Sequence, residues 1–157
     1  MRLEAYAKKW RITYNPHKTH HLLLLYDGVY NFDLRMLNVN LQKTTQAPYL
    51  GIVLDKRMNL KEHAKTVINK ARSKFNMMKN LFESPFLLKP IKLKLFRTFI
   101  LPIVTYGFTS YENMLSTEAR RKITSFERKF TKRALNLPLW TTTRQLQEKH
   151  GVNFILS

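Results

Sequence analysis

Tyr49-Leu50-Gly51-Ile52-Val53-Leu54-Asp55-Lys56-Arg57-Met58-Asn59-Leu60-Lys61-Glu62-His63 is the stretch on which the reading of the fold turns. Its first half is a compact apolar run behind Pro48, rich in β-formers, and reads as a strand. A glycine inside a strand marks a bulge or a close backbone approach, and Gly51 is assigned that role. From Asn59 the spacing becomes helical, with Asn59 placed to cap the first turn. The stretch is therefore a strand-to-helix junction. It divides the chain into residues 1–58, read as short strands and turns, and residues 59–157, read as basic helices. The fold class expected is α+β, a small partial antiparallel sheet followed by a basic helical bundle.

Charge narrows the partners. Lysine and arginine number 28 against 10 acidic residues in 157, a net charge of +18. Such an excess favours polyanions through counterion release and repels further copies of the chain. Nucleic acid is the leading partner, because 12% aromatic content adds base-stacking surface to the charge. An anionic membrane surface ranks second. No apolar run approaches the about 18–20 residues of a membrane span, so no membrane insertion is expected. Cysteine is absent, which excludes disulfides and thiolate metal sites and fits a reducing compartment. The first ten residues lack the apolar core of a signal peptide, and an intracellular location, nuclear or cytoplasmic, is expected.

Upstream of the junction, residues 3–9 suit a two-turn helix with Leu3, Ala7 and Trp10 on one side, the tail of a longer unit. Asn15-Pro16 signals a turn. Residues 20–26 read as an apolar strand closed by Asp27-Gly28, a hairpin signal, and a return segment runs through Phe32, Leu34, Met36, Leu37, Val39 and Leu41. Residues 43–48 read as a polar connector.

Downstream, Leu60, Ala64, Val67, Ala71, Phe75, Met78 and Phe82 recur at steps of three and four and form one apolar stripe. Lys61, Lys65, Asn69, Arg72, Asn76 and Lys79 run beside it. From Lys56 to Arg97 there are twelve lysines and arginines against Glu62 and Glu83 alone. A solvated face ordinarily mixes the two signs, so this asymmetry favours a phosphate-tracking face over mere solvation. Ser84-Pro85 breaks the helix and Pro90 opens the next. Residues 91–100 alternate like a strand, yet Ile91, Leu95 and Phe99 lie one helical turn apart, and the proline start decides for helix. Pro102 is expected to bend or end it. Ser116 caps a long helix with Glu118 in its first turn and a core stripe of Ala119, Ile123, Phe126, Phe130, Ala134 and Leu137. Residues 143–150 form a last short helix closed by Gly151.

Three motifs in order resemble the reverse transcriptases of non-LTR retrotransposons. The first is Trp10-x-Ile12-x-x-Asn15-Pro16-x-Lys18-Thr19. The second is Tyr49-Leu50-Gly51-Ile52-x-Leu54-Asp55 followed by Leu60-x-x-His63. The third is Pro102-Ile103-Val104-Thr105-Tyr106-Gly107, and Arg133-Ala134-Leu135-x-Leu137-Pro138 with Gly151-Val152 continues it. The resemblance implies a late palm remnant in residues 1–58, a primer grip at Tyr49, Leu50 and Gly51 lying against the growing DNA end, and a thumb in residues 59–157. It implies a parent activity of RNA-directed DNA polymerisation, with the missing upstream palm and fingers as a partner. The lysine of the first motif, Lys18, is then an accessory catalytic residue, a proton donor to the leaving pyrophosphate; on the residues alone it is equally a solvated turn lysine.

The central chemistry of such a polymerase is missing from this sequence. Two-metal catalysis needs an adjacent Asp-Asp pair and a third aspartate, whereas Asp27, Asp33 and Asp55 are far apart and are the only aspartates. In the family the pair precedes the first motif, and so would fall before Met1. Mg²⁺ is accordingly expected only in a complete parent polymerase, with no cofactor and no metal held by this chain. His20 and His21 point to opposite faces of a strand and cannot share an ion. The function expected is to hold an RNA–DNA template-primer through Lys61, Lys65, Arg72 and Lys79 without being active alone. The alternatives are a stand-alone basic RNA- or DNA-binding helical protein and a non-functional element remnant.

Overall fold

The computed structural model describes residues 2–24 and 32–154. It divides the chain into two compact units, Met1–Met58 and Asn59–Ser157, and no helix among the described residues is long and apolar enough to cross a membrane. Helices and small sheets coexist, so the class is α+β.

The first unit opens with a helix, α1 (Arg2–Trp10), whose Ala7 is buried while Trp10 stays exposed. A single 3-10 turn, Pro16–Lys18, follows the Asn15-Pro16 signal. The strands are short: β1 (His20–His21), β2 (Arg35–Met36), β3 (Val39–Asn40), β4 (Gln42–Lys43), β5 (Gln46–Tyr49) and β6 (Ile52–Asp55). Among the described residues they form three two-stranded ladders where one partial antiparallel sheet was expected, and β1 pairs with β4 in parallel, His20 opposite Gln42. The expected strand over residues 20–26 is limited to β1 before residue 24, and the Asp27-Gly28 hairpin signal lies outside the described residues.

Two tight hairpins organise the rest of this unit. β2 and β3 join through Leu37 and Asn38, with φ of 50° and 62°. The Leu37 N–H at that turn donates to Glu4 Oε1 of α1 at 2.9 Å. β5 and β6 join through Leu50 (φ 46°) and Gly51 (φ 84°). Positive φ at both central residues is the type I′ geometry whose twist matches antiparallel strands. Gly51 is thus the second residue of a hairpin turn and makes no mid-strand bulge. Residues 46–48, read as part of a connector, join Tyr49 in the partner strand, with Pro48 opposite Val53. Leu50 adopts a left-handed conformation that costs an L-residue roughly 1–2 kcal/mol, which is why the sequence pattern favoured one strand through this point.

The second unit has an interior of its own. Its helices are α2 (Lys61–Met77), α3 (Lys79–Glu83), α4 (Lys89–Leu95), α5 (Leu101–Thr105), α6 (Phe108–Tyr111), α7 (Thr117–Ala134) and α8 (Thr143–His150). The stripe predicted for α2 and α3 is the buried one, with Leu60, Ala64, Val67, Ala71, Phe75 and Phe82 all inside and Met78 half-buried. Asn59, the expected cap, lies one residue before the N-cap of α2. Leu60 takes the N-cap place at φ 56°, and Asn59 Oδ1 accepts from Lys61 N at 3.1 Å.

Phe75 is the hub of the core. It stacks on Phe82 with centroids 4.7 Å apart and meets Phe130 edge-on at 4.9 Å, while Phe126 stacks on Phe130 at 4.4 Å. Pro102 does not end its helix. A π-helical turn over Phe96–Ile100 carries the chain into α5 with Pro102 in that helix's first turn, where no N–H is needed. The face buried along this run is Leu93, Phe96, Ile100 and Val104, whereas Ile91 and Phe99 are exposed. Ser116 Oγ accepts from Ala119 N at 3.2 Å to cap α7. At α8, Thr142 and Gln145 form a reciprocal capping box and Gly151 closes the helix at φ 58°.

Candidate nucleic-acid interface

α2 and α7 lie side by side and run in the same direction. At their starts Lys61 Nζ is 2.6 Å from Glu118 Oε2, and Asn59 O accepts from Ser116 N at 3.2 Å. Towards their ends the Arg133 guanidinium sits over the rings of Phe75, 5.4 Å away, and Phe130, 5.2 Å away. Between the two helices runs an open groove of about 820 Å³. Lys65, Asn69, Arg72 and Asn76 wall it on the α2 side, and Arg121, Lys122, Ser125, Lys129 and Arg133 on the α7 side. Ile68, Phe126 and Phe130 form its base.

Both walls follow from helical geometry. On α7 the residues 121, 125, 129 and 133 recur every four positions, and on α2 the residues 65, 69, 72 and 76 recur at four, three and four, so each set occupies one side of its helix. The apolar stripes bind the helices together and leave these flanking rows at the rim. The groove carries six cations and no carboxylate among its lining residues. At 1.5 Å rise per residue it is about 17 Å long, and like charges facing one another across it are destabilising until an anion enters. Arg133 is the best-seated cation, because stacking on two rings removes much of its rotamer freedom and leaves the N–H fork for an oxygen acceptor. Asn69, Asn76 and Ser125 add neutral donors of the kind that meet phosphate oxygens.

Of the lysines and arginines singled out in the sequence, the groove brings together Lys65 and Arg72. Lys61 and Lys79 lie outside its lining. Lys61 is held by Glu118, and Lys79 Nζ is 3.6 Å from Glu83 Oε1 along its own helix. Lys65 also has Glu62 at 3.8 Å, a surface pair of small energy. Glu118 bridges two helices, since Lys122 Nζ lies 2.8 Å from its other oxygen. Hydrogen bonds from Lys122 and Lys61 hold its carboxyl at about 2. Sequence reasoning noted the charges around α7 without assigning Arg121, Lys129 and Arg133 to a site. The four-residue recurrence was the available signal, but only contact with α2 makes that row one wall of a groove.

In the first unit, Lys18 is exposed at the end of the 3-10 turn, where Asn15 Oδ1 accepts from His17 N at 3.0 Å and Lys18 N at 3.3 Å. Thr19 Oγ1 donates to Asn15 O at 2.8 Å and tightens the loop. Tyr49 and Leu50 stand exposed at the β5–β6 hairpin tip beside Gly51, an apolar point presented to solvent. His63, matched to the second motif, is buried in the helical unit, edge-on to Tyr111 with centroids 4.9 Å apart. Burial, with the charge of Lys70 second, holds its imidazole below the usual range, and its place is in the core.

No set of three metal-ligating side chains gathers among the described residues. Asp33 lies 3.1 Å from Lys43 Nζ, and Asp55 Oδ1 accepts from Arg57 N at 3.1 Å. Both carboxylates take part in local structure, and Asp27 lies outside the described residues. Comparison with protein-family models, curated proteins and solved structures finds no match to the chain.

Proposed function

We propose that this chain is the late palm, primer-grip and thumb portion of a non-LTR retrotransposon reverse transcriptase, and that its helical unit holds an RNA–DNA template-primer by backbone contacts. The observation that carries the reading is the α2–α7 groove, with six cations, no lining carboxylate and an apolar base. A wall of this kind positions a polyanion without reading its sequence. The motif order supplies the polymerase assignment, with the hairpin tip of Tyr49, Leu50 and Gly51 as primer grip and Lys18 as the accessory proton donor. The catalytic aspartates and their Mg²⁺ belong to an upstream palm and fingers, which are the protein partner. The work of such an element places the chain inside the cell, in the nucleus or cytoplasm.

A second reading, a stand-alone RNA- or DNA-binding helical protein, is supported by the closed aromatic core of the second unit, which needs no upstream segment to form its interior.

Single-turnover extension separates the two. Alone, the chain should bind a primed RNA template without extending it. Joined to the upstream palm of a related element, it should support extension, and Lys18→Ala in that fusion should slow the chemical step more than it weakens binding. Binding that persists while every such fusion fails to extend favours the stand-alone binder. Failure to bind primed RNA at low salt refutes both.

A further inference from the structure

α7 has a second basic side. A furrow of about 430 Å³ on it is lined by Arg121, Arg128, Lys129 and Lys132, with Leu139 at its end. Arg121 and Lys129 line the α2–α7 groove as well, so α7 is a ridge between two basic channels. Directly after Leu139 comes Trp140, 79% exposed. An indole is costly to leave in water, and this one sits on a backbone that is firmly tied. Thr141 N and Oγ1 both donate to Pro138 O, at 3.1 and 2.7 Å, and Lys132 Nζ donates to Leu139 O at 2.7 Å. Thr141 itself is buried. The loop therefore carries an exposed indole on a fixed turn, one residue beyond the Leu139 that ends the furrow.

We infer that this furrow, with Trp140 just beyond its end as the stacking platform, binds single-stranded nucleic acid as it leaves or enters a duplex whose backbone lies along the α2–α7 groove. The inference rests on the reading of the chain as a nucleic-acid binder and adds a second, strand-selective site to it. Charge selects a polyanion, and the lining contains no carboxylate. The indole selects an unpaired base, because in a duplex both faces of each base are already stacked on neighbours. Arg121 to Lys132 spans about 17 Å, which accommodates roughly five stacked nucleotides at 3.4 Å each. Base–aromatic stacking is tolerant of sequence, so a general preference for unpaired strands is expected.

The test uses the whole chain in a Trp10→Phe background, which leaves Trp140 as the sole tryptophan. An oligothymidylate of about ten nucleotides should quench its emission saturably, whereas an abasic phosphodiester of equal length or an acidic peptide should not. In the otherwise native chain, Trp140→Ala should weaken oligothymidylate binding about tenfold and leave RNA–DNA hybrid binding within about twofold, and Trp140→Phe should restore most of the loss. Silent Trp140 emission with the oligonucleotide bound, equal quenching by the abasic strand or the peptide, or equal losses for single strand and hybrid would overturn the inference. If hybrid binding persists in any of these cases, only the second site falls. If neither nucleic acid binds, the parent reading falls with it.

Discussion

Replacing Arg72, Arg121 and Lys129 together with glutamine should flatten the salt dependence of RNA–DNA hybrid binding. All three line the α2–α7 groove. Arg133 is left in place because it stacks on Phe75 and Phe130, and losing it would perturb the core. Each phosphate contact removed lowers the slope of log K against log salt by roughly 0.9 on a B-like duplex, so three contacts give a loss of about 2.7. Between roughly 50 and 200 mM salt, the native chain should lose about 40-fold more affinity than the variant. The control replaces Lys61 and Lys79, which belong to the same sequence stripe but lie outside the groove, paired with Glu118 and Glu83. The assay is fluorescence anisotropy of a labelled hybrid across a salt series, with circular dichroism to establish that both variants fold. An equal slope change in the two variants, or a larger one in the control, would show that charge is spread over the surface and that the groove has no special part.

Phe75→Ala removes the ring shared by Phe82, Phe96 and Phe130, and should cost about 3–5 kcal/mol. That is a large part of the roughly 5–15 kcal/mol typical of a domain, so thermal melting should show a lowered or absent transition. Glu118→Gln should be less stable than the native chain at neutral pH. Hydrogen bonds from Lys122 and Lys61 depress the carboxyl to about 2, so its contribution is complete above about 4.5 and is lost as pH falls towards 2. Melting temperatures of the two proteins should therefore converge across that window, and a constant gap would refute the bridge. Hydrogen exchange should be slowest in α2 and α7 and fast in β2 to β6. The first unit buries only Ala7 and Met36 among its described apolar side chains and its ladders are two to four residues long. Uniform protection would mean that the strands close a stable domain unaided.

What the sequence alone determined was mostly helical and local. The stripe from Leu60 to Phe82, the Ser116 cap, the Pro90 start and the Gly151 stop each depend on hydrogen bonds and rotamers within four residues, and each is where periodicity put it. The boundary at residues 58 and 59 was legible for the same reason, because the apolar period changes there. Tertiary structure decided whatever depended on a distant partner. Which side of the run after Pro90 is buried was set by the packing surface offered by α2 and α7, and it passed over Ile91 and Phe99 in favour of Phe96 and Ile100. Lys92 and Glu127 are buried charges that no periodicity identifies. The parallel pairing of β1 with β4 joins residues more than twenty positions apart, and Leu50 accepts a left-handed conformation only because the strands on either side pair. The groove is the clearest case. Neither α2 nor α7 contains it, and Lys61, paired with a glutamate on the other helix, lies outside its lining. A row of positive charge is a property of one helix, but a channel for a polyanion requires two helices held parallel by the rings between them.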